Sequence, residues 1–485
     1  MGQILSNPVI DKEHHQGNDN FTAFGLCSMQ GWRMSMEDAH IVELNIWEED
    51  ESQEMDNLVT SSFGHLAMYG VFDGHGGSAV AKFCGQNLAS ILKQQVLENK
   101  PHEIDTKCLI NAIKDTFLIA DQRILTEESM QNDHSGCTST CILISKDTNT
   151  IICANAGDSR TVLAKSGIAK ALSFDHKPNL LNEKSRIITA DGFVEMDRVN
   201  GNLALSRAIG DFEFKSNNKL PAEEQAVTAE PDILTQHIDY SANDFVLLGC
   251  DGIWECLSSQ ECVDMVYRGI LTPGMSLNDI ASKIIDICCA PTTEGSGIGC
   301  DNMTIIIVAL LQNGETEEEW FQRIRNKKIT SNGSTIPLSK AHITSFEAMR
   351  RKIYNTFDFG QANVFSVTTK ANEEKLVNEN KIESMEENVD DDQLGSPDSP
   401  PQPGGVLNFE SLRQLLEAGV HINTSSRAGN GNNSSGRSSN SAIRDMLTSF
   451  SEAAAGETSP FESDEEQEIR ELEEENEEQK QEPNT

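Results

Sequence analysis

Aspartate recurs in this chain at a place where an unpaired charge is costly, directly against an apolar run. Asp73 closes LAMYGVF (66–72) and opens Gly74-His75-Gly76-Gly77; Asp158 follows IICANAG; Asp251 follows FVLLGC and precedes Gly252; Asp301 stands before Asn302 and MTIIIVALL (303–311). Glu37 and Asp38 form another acidic site in GWRMSMEDAH, close to Arg33. Desolvating a carboxylate beside an apolar strand is unfavourable unless it is paired or binds a cation. Taken singly, each site has an ordinary explanation. Asp-Gly after a strand is a turn signal, a lone histidine such as His75 is commonly a surface residue, and Glu37-Asp38 reads as a solvated pair.

The runs themselves are short and end at Gly or Asp. With TSTCILIS (138–145), TIICANA (150–156) and DFVLLGC (244–250) they suit strands better than helices. Between them lie stretches with helical spacing: Ala79 to Glu98, where Val80, Phe83, Leu88, Ile91, Leu92 and Val96 can share a face, then Ile104 to Leu125 and Leu277 to Cys288. Strands joined by Asp-Gly turns with helices inserted among them predict a mixed protein with mainly antiparallel sheets. The expected plan is an N-terminal arm over 1–20, one globular unit over 21–312, a short helical extension over 313–370 built on Trp320 to Asn326 and His342 to Tyr354, and a disordered acidic tail over 371–485. Segments such as Gln393 to Gly405 and Asn423 to Ser441 bury too little apolar surface to offset chain entropy. Gly295, Gly297 and Gly299 are read as a flexible loop, since no Lys-Ser/Thr follows as a phosphate loop requires.

Composition removes several function classes. With 77 Asp and Glu against 38 Lys and Arg, the formal charge of -39 argues against nucleic acid or an anionic membrane as the main partner. The 12 cysteines show no C-x-x-C spacing and read as reduced core residues of an intracellular protein. No apolar run is long enough to span a membrane, and a secretory signal core is lacking.

If the scattered carboxylates meet at one end of a pair of sheets, each pair at about 4 Å repels by roughly 4 kcal/mol at an effective dielectric near 20. Divalent cations relieve this. An all-oxygen ligand set selects hard ions such as Mg²⁺ or Mn²⁺ over Zn²⁺. Two such ions about 3.5–4 Å apart suit phosphate-ester hydrolysis, and the fork of Arg33 can grip two phosphoryl oxygens.

The strings GWRMSMEDAH, YGVFDGHGG, SGCTST, ANAGDSR, SFDHKPN, RVNGNLALSRAIGDF, AEPDI, LLGCDGIWE and CDNMTIIIV resemble, in order, those of the metal-dependent type 2C protein serine/threonine phosphatases, over about residues 21–312. The N-terminus and acidic tail look like the fungal branch. The resemblance implies an α+β fold, a four-layer α/β/β/α sandwich of two mainly antiparallel sheets flanked by helices, with two Mg²⁺ or Mn²⁺ ions at one end. Asp73 would bridge both ions, the Gly74 carbonyl would bind one, and Asp251 and Asp301 the other. Glu37, Asp38, Thr138 and Asp158 would hold waters around them or bind a third, weaker ion. Arg33 would anchor the substrate phosphate and His75 would protonate the leaving oxygen, with direct attack by a hydroxide between the ions. Glu255 departs from the pattern, which commonly has Asp there; its longer reach is expected to alter affinity for the third ion. Substrates would be phosphoproteins, signalling kinases included. A pseudophosphatase that binds partners through its tail, and a two-metal hydrolase of another phosphoester, are the alternative readings.

Two further expectations come from the ends of the chain. Met1-Gly2-Gln3-Ile4-Leu5-Ser6 fits the N-myristoylation pattern at Gly2, which without a polybasic cluster gives weak, reversible membrane contact. Ser396-Pro397, Ser399-Pro400 and Ser459-Pro460 fit proline-directed phosphorylation, and Ser463 an acid-directed kinase. Lys327-Lys328 and Arg350-Arg351-Lys352 are too short for a nuclear signal, and the expected location is cytoplasm and nucleus. Deleting residues 370–485 is expected to leave turnover of a small phosphate ester within severalfold of full length in a steady-state assay; a collapse would make the tail part of the catalytic unit.

Overall fold

The computed structural model describes residues 4–47, 64–98, 104–294, 297–312, 314–331, 334–341 and 343–355. Gly2, Gly295 and the tail sites beyond residue 370 lie outside the described residues. Two antiparallel sheets carry the fold. The first has six strands in the order β1 (Ile4–Asn18), β2 (Thr22–Arg33), β16 (Met303–Leu310), β15 (Asn243–Gly249), β9 (Arg160–Lys165) and β10 (Ile168–Ala171). The second has five, in the order β14 (Asp232–His237), β8 (Thr150–Ala156), β7 (Ser139–Ser145), β4 (Leu66–Phe72) and β3 (Ala39–Glu43). A small third sheet joins β13 (Ile209–Gly210), β6 (Gly136–Cys137) and β5 (Gly74–His75).

Side chains alternate across each strand, so a strand covered on both faces must be apolar throughout. That is why the runs read as unbroken. Phe24 and Leu26 of β2, Tyr69 and Val71 of β4, Ile142 and Ile144 of β7, Val246 and Leu248 of β15, and Ile306 and Val308 of β16 form one buried cluster between the sheets. Their neighbours turn outward. Phe245, Leu247, Ile305 and Ile307 pack under α5 (Ser259–Leu271) and α6 (Leu277–Cys288). Met68, Leu143, Ile152 and Ala154 pack under α1 (Ala79–Glu98) and α2 (Thr106–Thr126). The result is the expected four-layer α/β/β/α sandwich. Helices α5 and α6 each start at a reciprocal capping box, Ser258 with Glu261 and Ser276 with Asp279.

The structure departs from the sequence reading in three places. The arm expected over 1–20 contains a strand, β1, on the edge of the first sheet. The helical extension expected on Trp320–Asn326 and His342–Tyr354 is present: Trp320, Phe321 and Ile324 of α7 (Glu317–Arg325) and Met349 of α8 (Phe346–Ile353) enter the first sheet's outer core, with the β17 (Lys328–Ser331) and β18 (Ser334–Pro337) hairpin between them. Neither Asp-Gly pair makes a hairpin turn. Gly74 begins β5 of the small sheet, and Asp251-Gly252 opens a short helix, α4 (Asp251–Trp254). Two helices were not anticipated, α5 and α3 (Leu181–Thr189). All 12 cysteines are free, as expected, and among the described residues no helix is long and apolar enough to cross a membrane.

Helix α3 lies in the long excursion between β10 and β14, with the hairpin of β11 (Val194–Glu195) and β12 (Arg198–Val199). An ion network ties it down. Buried Glu183 accepts from Arg207 (Nη2 to Oε1, 2.7 Å) and Arg186 (Nη1 to Oε2, 2.8 Å), and Arg207 also donates to Asp232 of β14 at 2.7 Å. Burial raises the Glu183 carboxyl, but the two guanidiniums prevail and hold it down at about 2. A depressed folded value gives stability that is present above the ordinary carboxylate range and lost as pH falls towards 2. Glu183→Gln should therefore cost roughly 3 kcal/mol at pH 7, because it removes the carboxylate charge that two half-buried guanidiniums share, leaving Arg207 with Asp232 and Arg186 with backbone carbonyls. Urea denaturation at pH 7 and pH 4 should show the gap between wild type and variant narrowing at the lower pH; a constant gap would rule out the charge as its origin.

Candidate metal centre

Strand register decides where the acidic residues go. In the first sheet Gly249 lies opposite Ile305, so Asp251 and Asp301 leave the same end. In the second, Ala39 lies opposite Phe72 and Ser139 opposite Ala156, so Asp38, Asp73, Thr138 and Asp158 leave one end together. A hydrogen bond joins the two sets, with the Asp251 N–H reaching Asp73 Oδ2 at 3.4 Å. Arg33 is the last residue of β2 and donates to the Asp301 carboxylate. Antiparallel pairing thus brings together residues more than two hundred positions apart.

The backbone around Asp73 is fixed from both sides. Its N–H meets Thr138 Oγ1 at 3.3 Å, the Thr138 N–H donates back to its carbonyl at 2.9 Å, and Thr138 Oγ1 shares a 2.7 Å hydrogen bond with Ser159 Oγ. Gly74 is obligatory here, since a Cβ would lie 2.2 Å from the Glu37 carbonyl oxygen. Glu37 receives the Gly77 N–H at 3.3 Å and the Ser35 hydroxyl at 2.8 Å. Asn302 holds the loop of Glu37 in place: Oδ1 accepts the Glu37 N–H at 2.9 Å, and Nδ2 donates to the Gln30 and Ser35 carbonyls at 2.8 and 3.0 Å.

The charges are crowded. Burial, then Asp251, Asp38, Asp158 and Asp301, pushes the Asp73 carboxyl well above its ordinary range. Burial, then Asp158, Asp301 and Glu255, does the same to Asp251. Asp38 is pushed up to about 7 by burial, against the pull of the Thr304 hydroxyl that donates to its Oδ2 at 2.6 Å. Glu255 is raised by burial and by Asp301, which puts its charge among these groups. Asp301 is raised less severely because Arg33 opposes its burial.

The donor set fits hard cations. Asp38, Asp73 and Cys250 bring ligand atoms within 4.8 Å of one another, and Asp38 Oδ1 is buried with no hydrogen-bond partner. Such an atom is an acceptor waiting for positive charge. The thiol does not compete, because burial and the neighbouring carboxylates push Cys250 far from ionisation, and its sulfur already accepts the Thr304 N–H at 3.1 Å. That leaves oxygen ligands, which suit Mg²⁺ or Mn²⁺.

Asp38 sits against Asp73, and Asp301 pairs with Arg33. Partners that the sequence reading did not single out complete the site. Lys177 donates to Asp158, Thr304 and Asn302 fix the acidic loop, and Asp211 Oδ2 lies 2.7 Å from His75 Nε2. Lys177 and Asp211 lie within SFDHKPN and AIGDF, but only folding shows which charge each one meets.

The sequence pattern of the family described as PP2C, Protein phosphatase 2C, matches residues 22–297. The chain is 49% identical over 467 residues to Protein phosphatase 2C homolog 2 of Saccharomyces cerevisiae, covering 92% of this chain and 94% of that protein. It belongs to the protein phosphatase 2C family. A second fungal relative, Protein phosphatase 2C homolog 2 of Schizosaccharomyces pombe, is 48% identical over 343 residues, 71% of this chain and 87% of its own. The crystal structure of a phosphatase from a pathogenic strain of Toxoplasma gondii superposes with a TM-score of 0.50 at 26% identity, covering 63% of this chain and 97% of that one. The protein is therefore a serine/threonine protein phosphatase of a Mg²⁺/Mn²⁺-dependent family, a hydrolase whose substrates are phosphoproteins.

Within this phosphatase, Asp211 favours the protonated form of His75. Burial lowers its pKa, but the hydrogen bond and charge of Asp211 outweigh that and leave it raised. Asp211→Asn should move the alkaline limb of the kcat profile to lower pH, because the protonated imidazole is then lost sooner. An unmoved limb in phosphopeptide assays across the alkaline range would separate His75 from the proton-transfer step.

Proposed function

We propose that Asp73, the Gly74 carbonyl, Asp251 and Asp301 hold two hard divalent ions, and that the phosphatase uses them on phosphoserine and phosphothreonine of signalling proteins, protein kinases included. The observation that supports this best is the joint register of the two sheets, which gathers these acids beside Arg33 and His75. Asp38, Glu37, Thr138, Asp158 and Glu255 would hold waters around the ions or a third, weaker ion. When bound, the ions supply Lewis acidity that activates water and offsets phosphoryl charge.

The protein's own groups account for binding and proton delivery. Arg33 ends a rigid strand with its side chain 42% exposed, so its fork can meet a phosphoryl group while Asp301 holds it. His75 gives Nε2 to Asp211, which leaves the Nδ1 proton for the departing serine or threonine oxygen. Acylation at Gly2 would add weak, reversible membrane contact, and the proposed location is cytoplasm and nucleus.

Hydrolysis of a phosphothreonine peptide should stop with chelator and return with Mn²⁺. Asp73→Asn should lower kcat by at least roughly a hundredfold and remove the rise in melting temperature that Mn²⁺ gives the wild type. Turnover that survives chelator would refute the metal assignment; a wild type that binds Mn²⁺ yet hydrolyses no phosphopeptide, at any Mn²⁺ concentration, would mark a pseudophosphatase.

A further inference from the structure

A second cluster of metal-ligating side chains lies at the edge of the sandwich, built from residues that the phosphatase site does not use. Glu13 and His15 are two apart on β1 and so face the same side of the first sheet. Lys12, which precedes Glu13 and is out of phase with both, faces the other way and pairs with Asp286 of α6 at 2.5 Å. The side that Glu13 and His15 share looks towards β3, the edge strand of the second sheet. There His40 alternates with Ile41, which packs outward beneath α1. His15 Nε2 is 2.7 Å from Glu13 Oε1, the His15 and His40 rings are 5.2 Å apart between centroids, and ligand atoms of all three residues lie within 4.8 Å of one another.

These donors differ in kind from those of the phosphatase site. Two imidazoles and one carboxylate form the set that borderline ions prefer, and three protein ligands leave coordination positions open. The open side has room, since an open groove of about 320 Å³ runs between the strands, lined by His15, His40, Phe24, Val42, Glu43 and Gly85. Gly85 of α1 is close-packed here, where a Cβ would come within 2.8 Å of the His40 carbonyl oxygen. His40 is thus anchored on its strand, and His15 is the half-exposed ligand free to adjust, with 48% of its side chain accessible.

We propose that Glu13, His15 and His40 bind one borderline divalent ion, zinc by its chemistry, and that this ion staples the N-terminal edge strand β1 of the first sheet to β3 of the second. The two strands belong to different sheets and share no backbone hydrogen bonds, so the ion would link them at an edge where the sandwich is open.

The test uses full-length protein in excess Mg²⁺, which occupies the oxygen site, and titrates zinc alone against a chromophoric chelator. Wild type should take up one zinc equivalent that His15→Ala weakens by at least about tenfold. Glu13→Gln should weaken it less. Both substitutions are on an exposed edge and should leave the fold intact by circular dichroism. Hydrogen exchange gives a second readout: zinc should slow amide exchange in Ile4–Asn18 in wild type but not in His15→Ala. If His15→Ala binds zinc as tightly as wild type, or zinc leaves β1 exchange unchanged, the proposal is overturned and any zinc taken up belongs to the carboxylates. This result is independent of phosphopeptide turnover.

Discussion

Mutual repulsion among buried carboxylates sets the terms for this structure. Asp38, Asp73, Asp251 and Asp301 would separate if they were free to move, and burial first, then the charge of neighbouring carboxylates, raises the pKa of each. Asp73, Asp251 and Asp301 cannot separate because they stand at the ends of β4, β15 and β16, which are buried throughout, and Asp38 is held at the start of β3 by the Thr304 hydroxyl. Moving one aspartate would mean sliding a strand, and a slip of one residue would turn every inward side chain outward. The sandwich core therefore stores the repulsion that makes the site attractive to cations.

The fold distributes this task between its two sheets. The first sheet supplies Arg33, Asp251 and Asp301, and the second supplies Asp38, Asp73 and Asp158. The first half has Arg33 and two of the acids and the second adds three more, so the full cluster exists only where the ends of the two sheets meet. Asn302 connects them from the first-sheet side by accepting from Glu37 while donating to Gln30 and Ser35, and Thr304 reaches Asp38 across the same gap. These neutral groups add no charge. They remove freedom, which lets a crowded acidic loop stay ordered.

Much of this was legible in the sequence because strands buried on both faces leave unbroken apolar runs, and aspartates at their ends stand out against them. The strands at 66–72, 139–145, 150–156 and 243–249, and the helices at 79–98 and 277–288, follow from that pattern. What was not legible depends on tertiary partners. Residues Ile4–Asn18 carry mixed polar side chains because an edge strand is half solvated, so they read as an arm. Trp320 sits in a segment rich in glutamate, and only the cavity it fills on the first sheet makes it core. The motif strings pointed to Asp73 and Asp251, but no local pattern shows that Asp38 loses its solvent or that Asp211 lies under His75.

That last contact shows how the fold uses strain for chemistry. Asp211 has a left-handed backbone, φ 52°, which costs a non-glycine residue roughly 1 kcal/mol. The turn directs its carboxylate at His75 Nε2 instead of at solvent. Opposite it, Gly136 is equally constrained, since a Cβ there would lie 2.2 Å from Asp211 Oδ2 and 2.6 Å from His75 Nε2. The small sheet β13-β6-β5 holds these three residues side by side, pairing Gly210 with Gly136 and Gly136 with His75. Its two-residue strands are too short to add much stability of their own. Their value is positional: they set a left-handed aspartate against a histidine across a gap that only glycine leaves open.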